Sequence, residues 1–464
     1  MDTKVQEQVQ GQVEEQGKEF FLKEAAKIEE PKELLAESID KLSKFGGYDL
    51  LESLISGMEQ MNPDNRAVKS IFLSESDFAG QRNKLKNDLA GWIALISGEE
   101  TQSQLVDRCV ETRQSLEKNL KKNLKKALKR SAKLETSYRT VGNFFKNSGQ
   151  AHLSCLTLLN ADKEDLKDSD SKFFKAVVDE LGRNFDRLNL KKNYSLLVIP
   201  GYLGSKQAID IWAKAAYRTK AMFVTDFYDA PNLKMLMDKL DKDSLAGADA
   251  HLANCVVACN YVLGRSRSEF ANEDDHLYIP PSTALAGKMY NTEEIPMSQG
   301  AAGKKYGTLD EVSGARLDML KSEIAALIDK SMVPMVFEDN RVMAFSNKTL
   351  FSGNPIGLQE YPIVRVFDWI GKVFSNFLND VAFQSWNNTL AQNLQREIVL
   401  FLEDYRGVGK LIETYEFKEI VQDPVSKDIS LKVDLKPFFA AKNFYIKLTG
   451  HEGNAGKEFN QEVG

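Results

Sequence analysis

Four short stretches hold residue types at spacings that ligation or catalysis could use. RGVGK at 406–410 ends like a phosphate-binding loop. Such a loop also needs a glycine five positions before its last one and a Ser or Thr after the lysine, where this chain has Asp404 and Leu411. An aspartate beside phosphates would repel them, and a helix end leading into a strand explains Gly407 and Gly409 instead. His251, Cys255 and Cys259 are four apart, which on a helix would aim all three one way and could hold zinc. The surrounding NCVVACNYV is rich in β-branched residues and reads as a strand, where four residues span about 13 Å and the three side chains could share a face but not one ion. Glu273, Asp274, Asp275 and His276 could ligate a cation or move protons, although acids clustered in a loop also read as solvated charge. PGYLGSK at 200–206 follows a strand-like run but lacks GxGxxG spacing. With four histidines, no GxSxG elbow and no HExxH, no catalytic set assembles. The expectation is no enzyme, no cofactor and no metal.

The elements around these stretches alternate. Apolar spacing predicts two helices over 31–61, split by Gly46-Gly47, and a further helix over 76–96 that Gly98 stops. VKSIFL at 68–73 reads as a short strand or linker. Strand-like runs fall at 153–159 (LSCLTLL), 194–200, 220–226 and 253–263, with helical stretches at 171–187, 205–219 and 232–242 between them. Such alternation predicts an α/β sheet covered by helices. A Gly/Ser/Thr/Ala-rich loop at 291–314, a helix at 314–329 and two strands, VPMVFED and VMAFSN, come next. Long amphipathic helices at 361–381 and 386–402 lead into sheet-forming segments at 413–421, 429–435 and 442–448.

A long helix over 101–134 carries Leu116, Leu120, Leu124 and Leu128 as a stripe, ringed by Lys118, Lys121, Lys122, Lys125, Lys126, Lys129, Arg130 and Lys133. It reads as a surface helix with one buried stripe, as a contact for an acidic partner surface, or as a membrane-surface helix lacking Trp and Phe anchors.

The whole chain of 464 residues is too long for one ordinary core. A net charge of −6 offers no whole-molecule basis for binding nucleic acid. The start lacks a secretory signal, no apolar run approaches the roughly 20 residues of a membrane span, and four cysteines make no disulfide framework. A reduced, cytoplasmic protein without direct membrane insertion is expected.

At 276–290, HLYIPPSTALAGKMY resembles the "PPS…AG" segment of contractile tail sheaths, in which a double proline leads from a strand into a small-residue helix. The preceding NYVLGR fits the same layout. So does the later order VPMVFEDNRVMAFSNKTLFSG, YPIVRVFDWIGKVFSNFLNDVAF and LEDYRGVGKL. The resemblance covers about residues 150–450, and the helical N-terminal region and length are most similar to the large subunit of type VI secretion sheaths (TssC/VipB type), in its Bacteroidota form. Val366 stands where the family's "VRR" pattern has its second arginine, and the family's "RGVWKAPAN" segment is absent. The resemblance implies a mixed sheet flanked by helices, the contractile tail-sheath fold, with a helical N-terminal region and a C-terminal strand arm. The implied partners are other copies of the chain in a helical sheath, a small sheath subunit (TssB/VipA type), an inner tube of hexameric rings, a baseplate and an AAA+ unfoldase for recycling. A homopolymeric sheath of a phage-tail-like particle and an α/β enzyme are the alternatives.

The organisation expected is a disordered tail (1–18), a helical region (19–150), an α/β sheath domain (151–355), a C-terminal sheath domain with strand arm (356–450) and a flexible tail (451–464). Ile429, Leu431, Val433 and Leu435 alternate with polar residues, as do Phe444, Ile446 and Leu448. Period-2 patterns near a chain end suit strands whose edge is open to another chain, or a hairpin completing the chain's own sheet. These seven residues are the expected subunit interface by strand exchange. Lys118, Lys121, Lys122, Lys125, Lys126 and Lys129 are the expected contact to the tube or another partner.

Overall fold

The computed structural model describes residues 74–98, 101–149, 153, 155–441, 446–451 and 458–463. The tail at 1–18, the helices expected in 31–61 and VKSIFL lie outside the described residues. The chain divides into two compact units, Met1–Leu124 and Lys125–Gly464. The first holds α1 (Ala79–Gly98), ending at Gly98 as expected, and the opening of α2 (Gln102–Asn147). The Thr101 hydroxyl caps α2 by accepting from Gln104 N at 3.3 Å. At 46 residues, α2 extends well past the expected end at 134. Its leucine stripe is not the buried face: Leu116 and Leu120 are 63% and 56% exposed, and Leu124 and Leu128 are only half-buried.

The second unit continues with α3 (Lys172–Phe185), β1 (Leu196–Ile199), α4 (Lys206–Arg218), β2 (Met222–Asp226), α5 (Leu233–Asp243) and β3 (Cys255–Cys259). Then come β4 (Val262–Arg265), β5 (Leu277–Ile279), α6 (Ser282–Tyr290), α7 (Lys321–Asp329), β6 (Val333–Glu338) and β7 (Arg341–Ala344). Side chains start the crossover helices: Ser171 accepts from Phe174 N, Ser205 from Ala208 N and Asn232 from Met235 N. The sheet order is β1-β2-β3-β6-β7, parallel up to β6 and antiparallel at β7. β2 and β3 are buried along their whole length, which is why β3 and the first three residues of β2 are continuously apolar and do not alternate. Trp212 of α4, Phe223, Phe227 and Leu285 of α6 fill the core, and the Trp212 indole donates to Leu166 O at 2.8 Å.

Three expectations fail here. Among the described residues LSCLTLL does not pair as a strand; residues 155–159 run irregularly with Leu156, Leu158 and Leu159 exposed, although the Thr157 hydroxyl meets that of Tyr194 at 2.6 Å. The run at 253–263 breaks into β3 and β4 because Asn260 adopts a left-handed conformation (φ 68°). Its buried amide then donates to Leu317 O and Met335 O and accepts from Leu317 N. The helix at 314–329 begins only at Lys321, since Ala315 is bridged to Val262.

The carboxyl end of the sheet is closed by one buried side chain. Asp226, at the end of β2, accepts from Gly201 N (2.8 Å), from Ser282 N (2.8 Å) and from the Ser282 hydroxyl (2.5 Å). It thereby ties the β1–α4 loop to the start of α6 in the IPPS stretch. Nearby lie the buried Cys259 and the half-buried Tyr261.

The chain then forms a short 3-10 turn (Ile356–Gln359) and α8 (Tyr361–Asp380), α9 (Asn388–Asp404), β8 (Ile412–Gln422) and β9 (Ile429–Pro437). Tyr361 and Val364 of α8 belong to the large core, while Val366 and Ile370 join Ile398 and Leu402 of α9 and Ile412 of β8 in a second core. The Phe401 ring stacks within it against Trp369 (5.8 Å) and Tyr405 (4.9 Å).

Two measurements check this packing. Burial pushes the Asp226 carboxyl up to about 7, against the bonds from Gly201 and Ser282 that favour its anion. The folded group keeps its proton at a pH where the unfolded one has lost it. Its contribution is therefore present in acid and is lost as pH rises from about 4 to about 7. Denaturation midpoints should fall across that window from this group, and Asp226→Asn should flatten the fall. Separately, Leu402→Ala, at a fully buried site, should cost about 2–5 kcal/mol in urea unfolding and should loosen hydrogen-exchange protection in β8 and β9 first.

Candidate assembly interface

β8 and β9 form a two-stranded antiparallel sheet, with Ile412 opposite Pro437 and Gln422 opposite Ile429. Asn387 caps α9 by accepting from Leu390 N at 2.9 Å, and this helix supplies the platform for the sheet. Leu431, Val433 and Leu435 of β9, with Tyr415, Phe417 and Ile420 of β8, pack half-buried against the second core. The Tyr415 hydroxyl also donates to Glu403 at 2.7 Å. Between and beyond these residues, charges alternate and pair: across the strands Lys436 with Glu413 (2.8 Å), Lys418 with Asp434 (3.3 Å) and Lys432 with Glu419, and along β8 Lys418 with Glu416 (2.6 Å). All are exposed and each is worth at most about 1 kcal/mol. The alternation seen in the sequence thus separates a face held by the second core from a solvated face. Ile429 is the exception, exposed at the end of β9.

β10 (Ile446–His451) and β11 (Glu458–Val463) form a second antiparallel pair, with Ile446 opposite Val463 and Leu448 opposite Gln461. The stretch 451–464, expected as a flexible tail, therefore contains a strand. The missed signal is the Gly-containing HEGNAGK between two short extended runs, which is hairpin chemistry. Ile446 and Leu448 lie in β10 as expected, but beside a partner strand of their own chain; Phe444 lies outside the described residues. The six described residues of the seven expected at a linkage thus fall on two separate two-stranded sheets. Among the described strands, β8 and β9 pair only with one another, apart from a single bridge of Ile412 to Arg406, and β10 and β11 pair only with one another.

The expected lysines divide. Lys125 pairs with Asp274 at 2.6 Å and Lys121 with Glu117 at 2.8 Å. Lys118, Lys122, Lys126 and Lys129 are exposed, with no ion pair among the described residues. Near Asp274, Arg265 grips Glu273 through both terminal nitrogens (2.7 and 3.0 Å) and also meets Glu135 of α2 at 2.9 Å. The Arg265 guanidinium holds the Glu273 carboxyl down at about 2. Asp275 is 3.2 Å from Arg316. The acidic loop is thus an anchor for α2, with its charges already matched.

The other chemical candidates have structural occupations too. His251 bonds Asp210, while burial pushes the Cys255 and Cys259 thiols well above their usual range. No cluster of metal-ligating side chains occurs among the described residues. Gly407 (φ 118°) and Gly409 (φ 78°) take left-handed conformations just after α9, and Gly407 N donates to Ile412 O at 3.0 Å. RGVGK is the turn from helix to strand, as expected. No described helix is long and apolar enough to cross a membrane.

Comparison with known proteins gives a family along the chain. Residues 126–352 match the central domain of type VI secretion system TssC/VipB, residues 360–463 the TssC/VipB-like C-terminal domain and residues 35–124 the TssC/VipB-like N-terminal region. No match was found among curated protein sequences. Among solved structures, the chain is similar to the helical sheath of the anti-feeding prophage in its contracted state, at 17% identity and a TM-score of 0.47, over 67% of this chain and 80% of that one. It is also similar to the sheath tail protein of Desulfitobacterium hafniense, at 13% identity and a TM-score of 0.38, over 62% of this chain and 59% of that one. The contracted sheath of an extracellular contractile injection system matches at 13% identity and a TM-score of 0.42, over 57% of this chain and 73% of that one. The three family models together run from residue 35 to residue 463, so the chain is a structural subunit of a contractile sheath and belongs to the TssC/VipB family of type VI secretion systems.

Proposed function

We propose that this chain polymerises with a small sheath subunit around an inner tube in the cytoplasm, and that its C-terminal two-stranded sheets link it to neighbouring copies. The observation that carries the linkage is the pairing of β8–β9 and β10–β11. Each pair offers outer edges with backbone N–H and C=O groups that no strand among the described residues takes up. β8–β9 rests on α9 and the second core, but a sheet of only two strands gains from a third, so an added strand from another copy would stabilise both chains. Backbone bonds along such an edge hold subunits together while their bodies rotate. A head-to-tail contact that does not close on itself propagates as a helix.

The remaining roles follow from this one. The unpaired Lys118, Lys122, Lys126 and Lys129 are offered to an acidic surface of the tube or the small subunit. Assembly starts from a baseplate, and an AAA+ unfoldase recycles the contracted form. Nothing in this reading asks the chain to catalyse a reaction.

A truncation ending at residue 441 tests the linkage. Co-expressed with the small subunit, it should remain a folded, soluble body and form no tubules in negative-stain microscopy, whereas the full chain forms them. Normal tubules from the truncated chain would refute strand linkage through β10–β11. Tubules from the full chain alone would replace the two-subunit assembly with a homopolymer.

A further inference from the structure

Beyond Lys125, helix α2 has its polarity reversed. Its packed side is polar: Thr140, Asn143 and Asn147 are buried. The Asn147 amide donates to Asn143 O (2.9 Å) and Asp310 O (3.3 Å) and accepts from Asp310 N (2.8 Å). Glu135 bonds Arg139 and Arg265 on the same side. The opposite side is apolar. Leu134, Tyr138, Val141 and Phe145 follow at i, i+4, i+7 and i+11, a row confined to about 60° of the helix circumference. Leu134 is 76% exposed and Tyr138 80%. Single exposed apolar residues are ordinary, but an aligned row marks a contact surface. Along one flank stand Lys126, Arg130 and Lys133, exposed and without ion pairs among the described residues.

We propose that this face of α2 receives the acidic amphipathic segment 31–61 of a neighbouring copy. The spacing matches: Leu35, Ile39 and Leu42 repeat the i, i+4, i+7 pattern of Leu134, Tyr138 and Val141, and Leu51, Ile55 and Met58 repeat it again. Charge matches as well. Residues 31–61 hold six Asp and Glu against three Lys, a net −3. The segment thus carries the charge opposite to that of the cationic flank. Two α2 faces meeting each other would oppose like charges, which disfavours self-pairing of the helix. Helix-in-groove contacts of this kind are read from apolar anchors at i, i+4 and i+7. The inference rests on the sheath reading above, because a polymer is what brings a second copy's segment alongside.

The test uses the full chain, with Tyr138 replaced by the photo-crosslinker p-benzoylphenylalanine. Equal parts of ¹⁴N- and ¹⁵N-labelled chain are assembled with the small subunit, irradiated, and mapped by mass spectrometry. The expected result is crosslinks to residues 31–61 carrying the other isotope label. Lys126→Glu, Arg130→Glu and Lys133→Glu together should reduce their yield severalfold. Crosslinks within one copy, to the small subunit or tube, or to no protein would each overturn the inference. Tubules with the crosslink elsewhere remove this contact alone; failure to form tubules removes the sheath reading with it.

Discussion

Helix α8 belongs to two cores at once, and the rest of the second unit depends on that sharing. Tyr361, fully buried, and Val364 face the five-stranded sheet, while Val366 and Ile370 face α9 and β8. A helix with apolar residues on two sides needs neighbours on both, and here the neighbours are different layers. Its polar positions are held as well. Asp368 accepts from Asn254 at 2.6 Å and lies 3.5 Å from Lys220, and Lys372 donates to Tyr194 O at 3.0 Å. Burial lowers the Lys372 ammonium to about 8 and the Arg365 guanidinium to about 10, so the seam between α8 and the sheet is polar but poorly hydrated. Force on β8 and β9 has a direct path to the main sheet through this helix, which belongs to both cores. Val366, where the sheath pattern has arginine, points to the second core, and a charge there would be buried among Ile370, Ile398 and Leu402.

In open α/β sheets the crevice beyond the carboxyl ends of the strands is the usual place for a ligand. This sheet spends that position on structure. Asp226 binds Gly201 and Ser282, and the double proline delivers α6 directly onto the strand ends. Gly287 of α6 in turn lies so close to α2 that an added Cβ would stand 2.5 Å from Phe144 O. The small residues of STALAG thus let two helices and a sheet edge approach closely. That is a rigidity requirement, which suits a subunit that must move as a body.

Much of this was legible before the structure. β1, β2 and the helices between the strands lie within a residue or two of the expected places, because continuous apolar runs and Ser or Asn caps are local signals. The misses are tertiary. Nothing local announces that Asn260 will turn left-handed to satisfy two carbonyls, nor that LSCLTLL will find no partner among the described residues. Of the interface residues, Leu431, Val433 and Leu435 alternate as expected, but the face they mark is occupied by the second core. The alternation was a true record of burial; which chain does the burying is not written in a period of two.

The same ambiguity explains α2. Its leucine stripe invited the assumption that apolar means buried within the subunit, and its lysines the assumption that charged means free. The structure reverses both at particular residues: Leu116 and Leu120 stand exposed, while Lys125 is bound by Asp274. A chain selected to function as a polymer distributes its apolar surface over two levels of packing, and only the inner level is visible in one copy. Patterns that disagree with the monomer are therefore where the outer level should be sought. On this protein they coincide with an aligned apolar row beside unpaired cations and with sheets of only two strands.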